Sequence, residues 1–89
     1  MPNYYWDEEK DALLRRTRGV SFGGITYAIE HGGLLDTIDH HNPALHPGQR
    51  IYVVRIGDYA YRVPFEVTAS GIFLRTIYPS GDDTRYYLR

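Results

Sequence analysis

Three successive segments of alternating character each place an arginine among apolar residues: Arg55 in RIYVVRI (50–56), Arg62 in YAYRVPFEV (59–67) and Arg75 in IFLRTIY (72–78). Gly57-Asp58 predicts a two-residue hairpin that pairs Ile56 with Tyr59, Val54 with Tyr61 and Tyr52 with Val63. A four-residue turn at 68–71 pairs Val67 with Ile72, Phe65 with Leu74 and Val63 with Thr76. Side chains alternate between the faces of a strand. One face then carries Tyr52, Val54, Ile56, Tyr59, Tyr61, Val63, Phe65, Val67, Ile72, Leu74 and Tyr78, which is a core. The other carries Arg55, Arg62 and Arg75 with Glu66, Ile51, Val53, Phe73 and Ile77. Guanidinium groups with aromatic and aliphatic groups between them suit phosphate binding and base stacking, the chemistry of RNA recognition. Arg85, in the terminal stretch FLRTIYPSGDDTRYYLR, is counted with them as RNA-facing. The same surface also reads as a solvated sheet face on which Glu66 pairs with an arginine, and the sequence alone favours that plainer reading.

A second cluster, DTIDHHNPALH, holds Asp36, Asp39, His40, His41 and His46. Adjacent His40 and His41 point opposite ways if a strand runs through them, so loop polarity outweighs a metal site. No metal and no cofactor is expected. His40 alone has the chemistry of a general acid or base near neutral pH. Its plain alternative is a loop histidine holding the backbone. Nucleophile elbow, phosphate-cradling glycine loop and HExxH are all absent.

The elements that must position these groups follow from composition and punctuation. The 89 residues are read as one domain, 1–89, with nine tyrosines, three phenylalanines and one tryptophan to build a small core. Cysteine is absent, so no disulfide frame or thiolate site forms, which fits a cytoplasmic protein. MPNYYWDEEK has no apolar run of a signal peptide, and no stretch is long enough to span a membrane. The net charge of −1 counts against tight nonspecific RNA binding without excluding a local basic patch.

WDEEKDALLRRT predicts a helix over 7–17, capped by Asp7 and ended by Gly19. Phe22, Ile25 and Ile29 predict a second helix over 22–31, with Ser21 as its cap. LLDTIDH begins the sheet, HNPALHPGQ is an exposed loop, and three more strands follow. Pro79 ends the fourth strand, and residues 83–88 form a short helix at best. The expected fold is α+β: two N-terminal helices packed on a mostly antiparallel four-stranded sheet, with a short C-terminal helix.

Several stretches, taken in order, resemble a known family. YWDEEKDALLRRTRGVSF is similar to the opening of BrnT-type toxins, and HPGQRIYVVRIGDYAYRVPFEV and IFLRTIYPS are similar to the middle and end of a BrnT-like branch. The resemblance implies a RelE-like fold and the toxic half of a type II toxin–antitoxin module. It implies a metal-independent endoribonuclease that inhibits translation, neutralised by a small antitoxin with a DNA-binding domain, in a homo-oligomer or a toxin–antitoxin heterotetramer. A base takes the 2′-OH proton, cations hold the phosphorane and an acid protonates the leaving oxygen. The resemblance assigns Arg75 to the phosphorane and His40 to acid–base work. Arg50 matches the basic residue that opens the second strand, Thr84 a threonine near the end, and Tyr87 an aromatic after it. Where relatives carry SRKAT, this chain has Ser80, Gly81, Asp82, Asp83 and Thr84, so two cations are replaced. The expectation is an attenuated toxin. Its rivals are a non-catalytic protein-binding module of the same fold and a small domain that oligomerises through its sheet face.

Overall fold

The computed structural model describes residues 3–39, 44–45 and 48–89. Helix α1 (Glu8–Arg18) starts where the Asp7 carboxylate accepts from the backbone N–H of Glu9 at 2.8 Å. Glu8, Glu9 and Asp11 fill its first turn, Arg15, Arg16 and Arg18 its last, as the helix dipole prefers. Gly19 closes it at φ 67°, a left-handed cap that glycine adopts without penalty. Ser21 then caps α2 (Phe22–Glu30) by accepting from Gly24 at 3.0 Å. The buried Asp11 carboxylate accepts the Phe22 N–H at 2.8 Å, so one side chain fixes the angle between the two helices.

The sheet has strands β1 (Tyr4–Tyr5), β2 (Leu34–Asp39), β3 (Gln49–Ile56), β4 (Tyr59–Thr68), β5 (Gly71–Leu74) and β6 (Tyr78–Pro79), and helix α3 (Gly81–Leu88) closes the described chain. The order is β1-β5-β4-β3-β2, with β6 also on β4, and every pairing is antiparallel except β1 with β5. The class is α+β, as expected, but among the described residues the sheet has six strands rather than four. Strand β1 lacked a signal because two residues show no period. It is seated by Gly71: Ile72 N–H donates to the Asn3 carbonyl at 2.8 Å, and a Cβ on Gly71 would meet that oxygen at 2.2 Å. With φ at 136°, Gly71 also occupies backbone space that side chains avoid. Gly71→Ala is therefore expected to destabilise the protein by about 1–3 kcal/mol, measured as a lower urea midpoint with an unchanged slope.

The two hairpins keep the expected register, Ile56 opposite Tyr59 and Phe65 opposite Leu74. The expected pairing of Val63 with Thr76 does not form. Arg75 N–H donates to the Pro64 carbonyl at 2.8 Å, but proline has no N–H to return to Arg75, so the ladder stops. When pairing resumes, Tyr61 lies opposite Pro79 and Arg62 opposite Tyr78, one residue out of step with β5. A one-residue slip exchanges faces. Ile77, expected among the arginines, is fully buried in the core, and Tyr78, expected in the core, lies beside Arg62.

The core between the helices and one sheet face joins Leu14, Val20, Phe22 and Ile25 to Tyr52, Val54, Val63, Phe65, Leu74 and Ile77. Tyr52 stacks on Phe65 at 3.8 Å between ring centroids, and Trp6 on Phe22 at 5.6 Å. Burying each large apolar side chain contributes about 1.5–3 kcal/mol. Tyr59 and Val67, placed in the core by alternation, are instead 38% and 74% exposed, because they lie at the two ends of β4.

Candidate nucleic-acid interface

The second sheet face carries the residues singled out for chemistry. In the register, Arg55 lies opposite Ala60 and Arg62 opposite Val53, so both arginines share this face. Arg75 joins them just beyond β5, where its Nη1 donates to Glu66 Oε1 at 2.9 Å. Glu66 lies opposite Phe73, and the Arg75 guanidinium sits 5.8 Å from the Phe73 ring centroid, a cation–π contact.

Helix α3 divides this face in two. It starts where Ser80 Oγ accepts from Asp83 N–H at 3.2 Å, two residues earlier than the expected start at 83. The Thr84 hydroxyl donates to the Ser80 carbonyl and accepts from the buried Ala60 N–H at 2.9 Å, which bolts the helix to β4. Asp83 takes both Nε and Nη2 of Arg62, at 2.5 and 3.1 Å, with side chains only 10% and 27% exposed. Such a bidentate pair is among the stronger polar contacts a protein makes. It raises the Arg62 pKa and holds the Asp83 carboxyl below its ordinary 3.8, against burial, which pulls the other way in both groups. At the far end Tyr87 donates to Asp36 on β2. That bond, with burial second, pushes the tyrosine up to about 12.

The predicted site residues therefore do not form one cluster. Arg75 and Phe73 are neighbours. Arg62 lies under α3, held by Asp83. Arg55 is exposed, with its Nε on the Gly57 carbonyl at 2.8 Å. Arg85 stands on α3 and pairs with exposed Asp82. Arg50 belongs to the other face, beside Tyr52, with its Nε 3.2 Å from Asp39. His40 lies outside the described residues. Among the described residues, no group of three or more histidine, aspartate or glutamate side chains is placed to hold a metal ion.

Among the described residues, nothing covers the half of the face over β4, β5 and β1. There Arg75 is 44% and Glu66 32% exposed at the side chain, Phe73 is half-buried, and Tyr5 lies against it at 5.1 Å between centroids. An ion pair this exposed contributes ~0–1 kcal/mol, so either partner can exchange its contact for a ligand. Tyr5 was invisible from sequence because only the parallel β1–β5 pairing, across 67 intervening residues, brings it to Phe73. In the sequence, Asp83 stands out only within the segment set against SRKAT, and Thr84 only as a match to a family threonine. Their roles as latch residues have one sequence signal, a Ser-x-x-Asp start with acidic residues in the first helical turn.

No family model matches the chain, and no curated protein or solved structure matches it either. No helix among the described residues is long and apolar enough to cross a membrane.

Proposed function

We propose that this chain is a BrnT-like, RelE-like toxin of a toxin–antitoxin pair, an RNA-directed protein of the cytoplasm whose cleaving surface is reduced to the Arg75–Glu66 pair. The observation that carries this reading is the contact of a carboxylate and a guanidinium at 2.9 Å beside an accessible aromatic ring. A ribose 2′-OH and the neighbouring phosphate are themselves only a few ångströms apart, so one dinucleotide step can meet both groups. Glu66 accepts the 2′-OH proton, the 2′-oxygen attacks phosphorus, and the bond to the 5′-oxygen breaks as that oxygen takes a proton from an acid. Arg75 holds the charge on the phosphorane. The products are a 2′,3′-cyclic phosphate and a 5′-hydroxyl. The resemblance gives His40 acid–base work, and with Glu66 as the base His40 is the proposed acid.

The expected partner is a small antitoxin with a DNA-binding domain, covering the open half of the arginine face with acidic or aromatic groups. Co-expression with a neighbouring reading frame should then give one species on a sizing column, and separate elution counts against it.

Growth and RNA integrity after expression test the toxin reading. Wild type is expected to inhibit weakly, and Arg75→Ala to abolish the effect. Gly81→Arg/Asp82→Lys should raise it by restoring cations at the start of α3. The site tolerates these side chains, since Asp82 is 89% exposed and a Cβ at Gly81 meets only ordinary contacts of 3.4 and 3.5 Å. If all three leave growth and RNA untouched, the nuclease reading fails. The alternative, a non-catalytic binding module, then takes its place; the observation favouring it is that Asp83 already occupies Arg62.

A further inference from the structure

We infer that Tyr5 and Phe73 form a stacking platform for one unpaired base of single-stranded RNA, with Arg75 taking the adjoining phosphate. The inference rests on the reading of this face as RNA-directed and adds both the substrate class and a residue, Tyr5, that sequence did not suggest.

Tyr5 is positioned from three sides. The parallel pairing places it opposite Phe73. Its hydroxyl bonds the Thr68 hydroxyl at 2.6 Å. Asn3, two residues before it, is tied to the 68–71 turn by Nδ2 donating to the Ser70 carbonyl at 2.7 Å and by its carbonyl accepting from Ile72. A tyrosine so anchored loses little further freedom when a base stacks on it.

The two rings meet at 49°, and Phe73 on β5 lies between Tyr5 on β1 and Glu66 on β4, the residue that holds the Arg75 guanidinium 5.8 Å from the Phe73 centroid. Ring, ring and guanidinium thus run in series across β1 and β5. That is the repeat of a single strand, a π-face for a base followed by a cation for its phosphate. A duplex keeps its bases stacked inside and offers this surface only backbone. Glu66 sets the selectivity further: its carboxylate repels a phosphate unless Arg75 is turned towards that phosphate, so binding requires the register in which a base occupies the rings. The net charge of −1 agrees with a short, stacking-based contact rather than a long electrostatic one.

The test uses the whole chain and a fluorescein-labelled, fully 2′-O-methylated oligouridylate of about ten nucleotides, which binds as a single strand and offers no 2′-OH to attack. Anisotropy gives Kd for wild type, Tyr5→Ala, Phe73→Ala, Tyr5→Phe and Tyr27→Ala, the last an exposed tyrosine on α2. Tyr5→Ala and Phe73→Ala are each expected to weaken binding about 5- to 150-fold, Tyr5→Phe to restore it within about 3-fold, and Tyr27→Ala to leave it unchanged. Because Tyr5→Ala can loosen β1, Phe73→Ala on a different strand and the Tyr5→Phe rescue keep the ring effect separate from folding. Arg75→Ala should lower the salt slope by about one ion. Wild type that does not bind, a Tyr5→Ala protein that binds as wild type, or preference for a duplex of the same length each overturns the inference. Cleavage of unmodified RNA that is indifferent to Tyr5 and Phe73 sinks the platform and leaves the nuclease reading standing. Ring-dependent binding without any cleavage does the reverse.

Discussion

Asp83→Ala is expected to cost about 3 kcal/mol of stability, the lower end of the range for breaking a buried ion pair. The lower end applies because Arg62 keeps 27% of its side chain in contact with solvent. The loss is large because deleting the carboxylate leaves a guanidinium under α3 with its partner gone, while Tyr78 supplies only a phenol. It also removes one of three bolts holding α3; Thr84 on Ala60 and Tyr87 on Asp36 remain. The double variant Arg62→Met/Asp83→Ala should be less destabilised than the sum of its parts, since no charge is then stranded. The pH dependence has a definite sign. The Asp83 carboxyl titrates below 3.8 in the folded protein, chiefly because Arg62 bonds its charged form. A depressed carboxyl contributes stability that is complete above its unfolded value and disappears as pH falls through its folded value. Wild type should therefore lose stability on acidification from about pH 5 downward, and Asp83→Asn should lose less over the same window. Urea unfolding at pH 7 and at pH 3 measures both. A slope unchanged by Asp83→Asn would mean that other carboxylates govern acid stability.

The hairpin registers and helix caps were legible because each is local. Gly57-Asp58 needs only its own turn geometry, and Asp7 and Ser21 need only the N–H groups two or three residues on. What failed was everything that depended on a long-range partner. Strict alternation carried IFLRTIY to Tyr78, but Pro64 on the neighbouring strand ended the ladder at Arg75 and moved Ile77 into the core. The shared arginine face was readable from parity, yet its coverage was not. Parity assigns a side, and Val53 and Ala60 on that side are fully buried once α3 lies over β4. The SGDD segment was read as lost cationic chemistry. Ser80 and Asp83 have structural work instead, one starting α3 and the other fastening it to Arg62. Charge at 82 and charge at 83 are thus different matters: Asp82 faces solvent beside Arg85, and Asp83 faces the sheet.

Single-turnover cleavage of a short unmodified RNA should fall about 100- to 1,000-fold in Arg75→Ala, the usual effect of removing one donor aimed at a developing oxyanion. Glu66→Gln keeps the shape and a bond to Arg75 but cannot accept a proton, and is expected to lose about 100- to 10,000-fold. The two effects should not add. Each side chain positions the other across 2.9 Å, so the double variant should be no more than a few-fold slower than the worse single one. Arg75→Lys distinguishes charge from shape: a lysine supplies the cation without the planar fork that meets Glu66 and lies near Phe73, so it should recover only part of the rate. Stability gives the control. The Arg75–Glu66 pair is half-exposed and contributes ~0–1 kcal/mol, so these variants should unfold close to wild type, whereas Arg62→Ala should be strongly destabilised. Variants that fold normally and still cut RNA at the wild-type rate would place the chemistry elsewhere. Wild type that leaves RNA intact at saturating protein would end the nuclease reading and leave the Arg75 face as a surface for binding.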